Sequence, residues 1–285
     1  MFTNKRISFI GSGAMGEAMI SGLLHQSIVP PEAIIAADSL QDRLSYIEKK
    51  YGVKGYTQNK TAVENSDVVI LAVKPQRLAS IIKDLNGLLL SHALVISIIA
   101  GTSIEKISQG LNHPHVVRAM PNTPAQIGEG ITVWTAADSV SEIQRDMTRQ
   151  ILCACGDEVF IEEESYMDAA TALSGTGPAY VFMFMEAMVD AGVHLGFSRK
   201  TAERLVVQTV RGSADYYYSM MQNGEHAHLA HLRNQVTSPA GTSAAALYYL
   251  EKDGFRTAIS RAIWAAYERS LELGQGKMTR HPESR

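Results

Sequence analysis

Hydrophobic residues in the first half of the chain form short continuous runs, separated by stretches of mixed polarity. Residues 67–73 read DVVILAV and residues 93–100 read ALVISIIA, so both runs are almost wholly apolar. Runs of this length are typical of strands that are buried on both faces of a sheet, because half-exposed strands alternate apolar and polar positions. The intervening stretches are long enough for helices. The pattern therefore predicts a mainly parallel, doubly wound α/β sheet.

The same reading gives bounds for each element of this first half. Strands are predicted at residues 7–10, 33–37, 55–57, 67–73, 93–100, 116–120, 130–135 and 159–161. Helices are predicted at residues 14–24, 40–51, 78–85, 103–111 and 141–153, with a helical turn at 61–65. Ser103 or Thr102 is the expected cap of the helix that ends at Leu111, since a hydroxyl can accept a hydrogen bond from the first turn.

Strand patterns are absent after about residue 164, and the second half predicts helices alone. They are expected at residues 165–195 with an interruption at 174–178, at 198–224, from the SPAGTS segment to 254, and at 255–273. Ser165 and Ser198 are the predicted caps of the first two. We therefore divide the chain into a dinucleotide-binding domain at residues 1–164 and a helical domain at residues 165–285.

The central helix of the second half is apolar on nearly every side. Its sequence PAYVFMFMEAMVDAG has few polar positions, and such a helix must be covered all round. The other helices of a domain of about 120 residues are too few to bury this helix on every side. We therefore expect a homo-oligomer in which the helical domains of two subunits bury one another, rather than cover supplied by the first domain.

Composition and charge narrow the function. Hydrophobic residues make up 46% and charged residues 19%, and the net charge is −3. This balance gives no electrostatic reason to expect nucleic acid as a partner. No apolar run approaches the roughly 20 residues of a membrane helix, and the first six residues lead directly into a strand. We expect a cytoplasmic protein that neither spans nor binds a membrane.

Three histidines close together could suggest a metal site. His226, His228 and His231 lie in a polar stretch without a cysteine or carboxylate at ligand spacing. We interpret them as a solvated helix face and predict no metal.

A glycine fingerprint follows the first strand. Gly11, Gly13 and Gly16 stand between an apolar strand and an Ala- and Met-rich stretch. In dinucleotide-binding folds the first glycine permits the tight turn, the second lets the backbone approach a pyrophosphate, and the third lets helix and strand pack closely. The helix start also offers free N–H groups and the positive end of its dipole. The strand before and the helix after favour a dinucleotide site over an ordinary glycine-rich turn.

The end of the second strand gives a divided answer about the dinucleotide. Asp38 lies about 20 residues after the fingerprint, where an acidic residue accepts the ribose hydroxyl of NAD. Ser39 and Arg43 follow, and a hydroxyl and a guanidinium suit the 2′-phosphate of NADP. Repulsion from Asp38 disfavours the phosphate and Arg43 favours it.

Two further segments carry candidate chemistry. Lys74 and Pro75 follow the buried strand at 67–73, at the sheet edge where ligands bind in open α/β folds. A lysine there either faces a cofactor or is solvated. The segment TSPAGTS (237–243) precedes a helical run and predicts a helix start with hydroxyls and free N–H donors. Such a start suits a small carboxylate, although its spacing alone favours an ordinary capped helix.

Taken together, the motifs resemble the pyrroline-5-carboxylate reductases in order and spacing, from Arg6 to about Leu273. The motifs are the glycine fingerprint, AVKP (72–75), IIAG (98–101), RAMPNTP (118–124), LSGTGPAY (173–180) and VTSPAGTS (236–243). The resemblance implies a Rossmann domain followed by a helical domain that interlocks into dimers and larger rings. It also implies NAD(P)H-dependent reduction of 1-pyrroline-5-carboxylate to L-proline, the last step of proline biosynthesis.

The resemblance assigns a role to individual residues. The implied cofactor contacts are Ile10, Gly11, Ser12, Gly13, Ala14, Met15, Gly16, Ser39, Arg43, Asn59, Ala72, Val73, Lys74, Pro75, Ala100 and Gly101. The implied substrate contacts are Ser238, Gly241, Thr242 and Ser243. Ser243 is the candidate catalytic residue, as a hydrogen-bond partner of the ring nitrogen. We expect NADP as the cofactor, with NAD as the alternative, and a cyclic imino acid as the substrate.

The chain departs from the family pattern at three places. The family has two glycines after the proline of TSPAGTS, and in this chain the first of them is Ala240. The methyl group of Ala240 would strain the backbone if that position needs a positive φ. Ser243 replaces the usual threonine and keeps its hydroxyl. The segment around Glu225 differs from the usual EHP pattern, which leaves its role as a substrate contact open.

Three alternatives stay open at this point. The first is a reductase of another cyclic imine, with a pocket altered around Ala240. The second is a β-hydroxyacid dehydrogenase, which depends on a lysine in its long central helix, and residues 167–195 contain none. The third is a non-catalytic paralogue that binds nucleotide.

Overall fold

The computed structural model describes residues 2–224 and 228–274, and within them eight strands form one sheet. In chain order the strands are β1 (Ile7–Ile10), β2 (Ile34–Ala37), β3 (Lys54–Tyr56), β4 (Val68–Leu71), β5 (Leu94–Ser97), β6 (Val116–Met120), β7 (Gly130–Ala136) and β8 (Gly156–Phe160). Their spatial order is β3-β2-β1-β4-β5-β6-β7-β8. The first six run parallel, β7 is antiparallel to β6, and β8 is parallel to β7. The predicted mainly parallel sheet is confirmed.

The central strands are buried on both faces, which explains their continuous apolar runs. Every residue of β1, β2, β4 and β5 is buried. The register pairs Ile7 with both Ile34 and Val68, so β1 lies in the middle of the parallel half. At roughly 25 cal/mol per Å² of apolar surface removed from water, this core is the main favourable term in the folding of the sheet.

The last strand begins earlier than the sequence predicts. β8 begins at Gly156, three residues before the predicted start, and its side chains alternate between half-buried and exposed. An edge strand needs apolar residues on one face only. Asp157 and Val159 occupy the exposed face, so the strand lacks the apolar run that the prediction required.

The helices flanking the sheet match the sequence pattern. They are α1 (Ala14–His25), α2 (Gln41–Tyr51), α3 (Asn59–Val63), α4 (Leu78–Leu85), α5 (Ile104–Leu111) and α6 (Glu142–Cys153). Ser103 accepts a hydrogen bond from the amide of Lys106 and caps α5, as predicted. Ser141 forms a capping box with Gln144 at the start of α6.

Helices alone follow in the described residues after β8. They are α7 (Tyr166–Ala170), α8 (Gly177–His194), α9 (Arg199–Gln222), α10 (Leu229–Gln235), α11 (Thr242–Lys252) and α12 (Phe255–Gly274), with a π-helical turn at Thr171–Gly175. Ser198 caps α9 as predicted. The predicted cap of α7 is wrong, because Ser165 is in helical conformation and makes no capping hydrogen bond. The bounds of the short helix α10 were not predicted, although the histidine group around His231 was interpreted as a solvated helix face.

The chain divides into two compact units. Among the described residues, one comprises residues 2–178 together with residues 265–274, and the other lies within Ala179–Trp264. These units are defined by contacts and differ from the sequence division at 164/165, which stays a prediction about domains.

Apolar side chains are exposed around much of the circumference of α8, as expected for a helix that is apolar on nearly every side. Val181, Phe182, Met183 and Phe184 are 41 to 74% exposed in the single chain. A small apolar cluster of Val189, Ala202 and Val206 covers only part of the helix. Among the described helices, none is both long and apolar enough to cross a membrane.

Buried His113 makes the stability of the sheet unit depend on pH. Its Nε2–H donates to the Ala93 carbonyl at 2.6 Å, and burial lowers its pKa below the ordinary 6.5, an effect that His115 reinforces and the hydrogen bond opposes. The unfolded chain then binds the proton more readily than the folded one. We expect the free energy of unfolding to fall as the pH drops below about 6.5, with a slope of at most ~1.4 kcal/mol per pH unit from this group.

Urea titrations between mildly acidic and neutral pH would measure this effect. His113→Gln keeps an N–H donor and cannot titrate, so its unfolding free energy should depend less on pH than that of the wild type. Parallel pH profiles of the two proteins would contradict this role of His113.

Candidate active site

Three loops meet at the carboxyl edge of the sheet, next to β1. The amide of Gly11 donates to the carbonyl of Ala37 at 2.9 Å, and the amide of Ala72 donates to the carbonyl of Ile10 at 2.8 Å. These bonds join the chain segments that follow β1, β2 and β4. Ligands bind at such an edge in open α/β sheets, where the strand order reverses.

The glycines of the fingerprint have three different environments. Gly11 has φ +98°, and a methyl group on it would lie 2.6 Å from the carbonyl oxygen of Ala72. A methyl group on Gly16, within α1, would press against the carbonyl of Gly11. Gly13 is the N-cap of α1, and a methyl group there would meet no atom of the described chain within 4 Å. Gly11 and Gly16 thus allow neighbouring backbone segments to approach closely, and Gly13 leaves the backbone at the start of α1 accessible to a ligand.

This arrangement fits a dinucleotide pyrophosphate. The first turn of α1 has free N–H groups, with Ala14 exposed and Met15 half-buried beside Gly13. Ile10 and Ser12 are buried beneath the loop and fix its course.

The segments after β4 and β5 supply the other implied cofactor contacts. Lys74 is exposed, and Ala72, Val73 and Pro75 are half-buried. Gly101 has φ +66° and is covered by the end of α12: a methyl group on it would lie 3.0 Å from the amide of Gly274. Ala100, immediately before it, is half-buried and remains accessible.

Asn59 lies at the start of α3, at the same edge of the sheet. Its side-chain amide donates to a carboxylate oxygen of Asp84 at 3.0 Å. This bond orients the side chain and leaves the amide oxygen of Asn59 as an acceptor for another group.

Asp38 is bonded to the fingerprint loop. One oxygen of its carboxylate accepts from the amide of Ser12 at 3.1 Å and from the hydroxyl of Ser12 at 3.0 Å, and the other accepts from the amide of Leu40 at 3.1 Å. Ser39 is exposed beside it. Asp38 therefore lies against the glycine fingerprint loop, which is where an acidic residue that binds the ribose is found in dinucleotide-binding folds.

Arg43 contacts the same loop from α2. Its Nε donates to the carbonyl of Ser12 at 2.6 Å, and its guanidinium forms an ion pair with Glu17 of α1. Glu17 was not among the predicted site residues, because nothing in the sequence distinguishes it from other exposed carboxylates of a first helical turn.

The predicted substrate segment lies in the second compact unit. Gly241 is the N-cap of α11, its amide donates to the carbonyl of Ser238 at 3.1 Å, and a methyl group on it would clash with the side chain of Ser238. Thr242 is exposed and Ser243 is half-buried in the first turn of α11. Gly241 supplies no capping side chain, so the first-turn N–H groups remain available for a ligand.

Ala240 adopts the backbone conformation that its family counterpart would favour. Its φ is +58°, in the left-handed region where a non-glycine residue is strained by about 1 kcal/mol or more. The turn therefore keeps the shape that glycine permits, although the residue is alanine.

The histidine group receives a partial test. His228 accepts a hydrogen bond from the amide of Ala230 at 3.1 Å, and His231 contacts Gln235 at 3.2 Å. Glu225 and His226 lie outside the described residues. Across the ranges that the structure describes, no group of three or more His, Cys, Asp or Glu side chains could hold a metal ion.

A buried ion-pair network near the sheet was not predicted. The Arg118 guanidinium lies 3.1 Å from Glu164 and 3.2 Å from Asp168, and the hydroxyl of Ser270 donates to Asp168 at 2.6 Å. Glu164 also accepts from the amide of Ile104 at 2.8 Å. The network joins β6, α5, α7 and α12 within one unit. The arginine of RAMPNTP was the only sequence signal for it.

The π-helical turn contains a second unpredicted feature, within the LSGTGPAY segment. The hydroxyl of Ser174 is buried and has no hydrogen-bond partner among the described residues. Buried polar groups are normally paired, and π turns recur at functional sites.

The fold and the glycine loop define a class: dinucleotide-binding proteins with a Rossmann-type sheet. Comparison with family models narrows this class. Residues 164–273 match the model described as pyrroline-5-carboxylate reductase dimerisation, and residues 6–101 match the model described as NADP oxidoreductase, coenzyme F420-dependent.

Comparison with whole proteins gives the family. The pyrroline-5-carboxylate reductase of Synechocystis is 41% identical over 95% of this chain and 98% of its own length. The crystal structure of Plasmodium falciparum pyrroline carboxylate reductase with NADP bound has a TM-score of 0.85 at 32% identity, covering 95% of this chain and 98% of that one. The Coxiella burnetii structure has a TM-score of 0.84 at 35% identity, covering 95% and 99%. The chain belongs to the pyrroline-5-carboxylate reductase family.

Proposed function

We propose that this protein reduces 1-pyrroline-5-carboxylate to L-proline with a reduced pyridine nucleotide. The observation that carries the proposal is the presence of two local sites in this family member, one in each compact unit. The glycine loop at the sheet edge suits a pyrophosphate, and the start of α11 suits a small carboxylate. The 41% identity to a reductase over nearly the whole chain supports the same reaction.

The residues of the chain act by binding and positioning. The first-turn amides of α11 hold the substrate carboxylate, with the hydroxyls of Ser238 and Thr242 beside them. Ser243 donates or accepts a hydrogen bond at the ring nitrogen and orients the C=N bond. When bound, the reduced nicotinamide supplies the hydride that adds to the imine carbon. A protonated imine is already electrophilic, so the main contribution of the protein is orientation and no strong acid is needed.

Removing the Ser243 hydroxyl tests that placement. Ser243→Ala should lower kcat/KM for the imine by about tenfold, the effect of one hydrogen bond to a charged group, and leave the nucleotide Kd within about twofold. Ser219→Ala, which removes an exposed hydroxyl on α9, is the matched control and should change neither quantity. A Ser243→Ala protein with equal losses in turnover and nucleotide binding would show that Ser243 is misplaced.

The cofactor belongs to the NAD(P)H class. A relative with NADP bound supports NADPH, the first choice of the sequence prediction, and the position of Asp38 supports NADH, the alternative. The two nucleotides share the same nicotinamide and differ only at the adenosine ribose. The side chains after β2 therefore decide between them.

The protein is expected to act as a homo-oligomer through its helical domain. The dimerisation model matches this region, and the apolar side chains exposed around α8 need cover. Sedimentation velocity should show dimers or larger species at micromolar concentration. A monomer at that concentration would contradict this part of the proposal.

A substrate panel separates the proposal from its alternatives. Purified protein with either reduced nucleotide should oxidise it in the presence of 1-pyrroline-5-carboxylate, with the loss of near-ultraviolet absorbance as the readout. A clear preference for another cyclic imine would replace the substrate and keep the chemistry. Nucleotide binding without turnover of any imine would favour the non-catalytic paralogue.

A further inference from the structure

The guanidinium of Arg43 is held by three partners rather than left open at the ribose edge. Its Nε donates to the Ser12 carbonyl at 2.6 Å, Nη2 pairs with the carboxylate of Glu17, and Cζ lies 5.1 Å from the centre of the Tyr46 ring. The side chain is only 26% exposed. A planar guanidinium fixed on three sides loses much of its freedom to turn toward another anion.

Glu17 is itself fixed as an anion. It accepts hydrogen bonds from Lys50 at 2.8 Å, from the Tyr51 hydroxyl at 2.9 Å and from the Tyr46 hydroxyl at 3.2 Å. Burial alone would raise its pKa, but the bonds from Lys50, Arg43 and Tyr51 lower it to about 2. Glu17 therefore stays charged at neutral pH and maintains its ion pair with Arg43.

Asp38 adds a second negative charge beside the loop. One of its oxygens is bonded to Ser12, and the other accepts a single hydrogen bond from the amide of Leu40 at 3.1 Å. A carboxylate oxygen can accept two hydrogen bonds, so this oxygen suits a ribose hydroxyl. It repels a phosphate.

The charges of this cluster cancel. Asp38 and Glu17 contribute two negative charges, and Arg43 and Lys50 contribute two positive ones. A 2′-phosphate brings nearly two further negative charges and requires a cation with donors to spare. Ser12 and Glu17 use two of the five N–H donors of Arg43, so donors remain, but Glu17 neutralises its charge and fixes the plane of its guanidinium. A 2′-phosphate therefore gains little from Arg43 while this ion pair holds. A free 2′-hydroxyl has no such requirement.

We propose that Glu17 is a positioning residue that holds Arg43 away from the adenosine ribose, so that this protein favours NADH over NADPH. The inference rests on the proposed function, because it concerns the cofactor of that reaction. Glu17 contributes by occupying Arg43, and Asp38 contributes by accepting the hydroxyl and repelling the phosphate.

Nucleotide binding in the absence of imine tests the inference apart from catalysis. Fluorescence titration of the full chain should give a Kd for NADH about tenfold or more below that for NADPH, the effect of one charge-assisted hydrogen bond gained or lost. Glu17→Gln should lower the Kd for NADPH about tenfold and change the Kd for NADH less than about twofold. Glu142→Gln, at a 91% exposed position on α6, is the matched control and should change neither Kd.

A double-mutant cycle separates positioning from a general structural role. Arg43→Ala alone should not lower the Kd for NADPH, because it removes a cation and leaves the negative charges of Glu17 and Asp38 in place. The gain from Glu17→Gln should disappear in the Glu17→Gln, Arg43→Ala double variant. A gain that persists without Arg43, or an equal change in both nucleotide Kd values, would overturn the inference.

The same experiment distinguishes this inference from the proposed reaction. Tighter wild-type binding of NADPH than of NADH would refute the inference and leave imine reduction standing. The expected Kd pattern without turnover of pyrroline carboxylate would refute the reaction and leave the role of Glu17 standing. Arg43→Ala and the Glu142→Gln control both keep Glu17 and should fold. If Glu17→Gln alone failed to fold, a role of Glu17 limited to positioning would be contradicted.

Discussion

Replacing Gly13 by alanine should weaken nucleotide binding by about a hundredfold while the protein keeps its stability. Gly13 caps α1 with φ −62°, which alanine adopts readily, and its added methyl group would meet no protein atom of the described chain within 4 Å. The methyl group would instead occupy the space in which the backbone meets a pyrophosphate. Loss of two or three phosphate contacts to backbone amides accounts for an effect of this size. Thermal unfolding and nucleotide titration would measure the two properties separately.

Gly11→Ala is the matched comparison within the same loop. Its φ of +98° and the close carbonyl of Ala72 leave no space for a methyl group, so this variant should lose stability as well as binding. If Gly13→Ala bound nucleotide as tightly as the wild type, the loop would not be the pyrophosphate site. If it unfolded like Gly11→Ala, the contrast between the two positions would be wrong.

Gly241→Ala should reduce kcat/KM for the imine about a hundredfold and leave the nucleotide Kd unchanged. Its methyl group would force the Ser238 hydroxyl, an implied substrate contact, to turn away, and it would press on the Ser238 carbonyl oxygen at 3.1 Å within the turn that precedes α11. Carboxylate binding at a helix start depends on the position of a few amides, and a shift of about 1 Å there can cost two orders of magnitude. Steady-state kinetics at saturating nucleotide, with a separate nucleotide titration, would test this expectation.

Ala240→Gly is the control for that variant, one residue earlier in the same turn. Because Ala240 has φ +58°, glycine relieves strain and should raise the free energy of unfolding by roughly 0.5 kcal/mol, since the gain is partly offset by the flexibility of glycine in the unfolded chain. Activity should be retained. Retained activity in Gly241→Ala would separate the turn from substrate binding. A large loss of activity in Ala240→Gly would contradict the view that Ala240 only keeps a turn shape that glycine also permits.

The sequence predicted the elements of the parallel sheet well, because strands buried on both faces leave a continuous apolar run. The runs around β4 and β5 were located within two or three residues of their ends. The edge strand β8 and the polar helix α10 were harder to locate, since exposed elements have no such run. Long-range pairing also has no local pattern: Arg118 meets Glu164 and Asp168 only after the chain folds.

The candidate site likewise has features that neighbouring residues in the sequence predict and contacts that form only in the folded chain. The need for glycine at Gly11 and the backbone strain at Ala240 could be anticipated from local chemistry. The ion pair between Glu17 and Arg43 could not, because those residues lie on separate helices that approach one another only in the folded sheet. Arg43 alone favoured a phosphate, and its partner changes that interpretation.

Transfer of isotope from nucleotide to product is the most direct test of the central claim, hydride addition to the C=N carbon of a ring acid. The protein would be given 1-pyrroline-5-carboxylate and a reduced nucleotide deuterated at the transferable position of nicotinamide C4, and the product analysed by NMR. The account predicts L-proline with a single deuterium on the δ carbon. Proline without deuterium, deuterium at another carbon, or oxidation of the nucleotide without proline would contradict it.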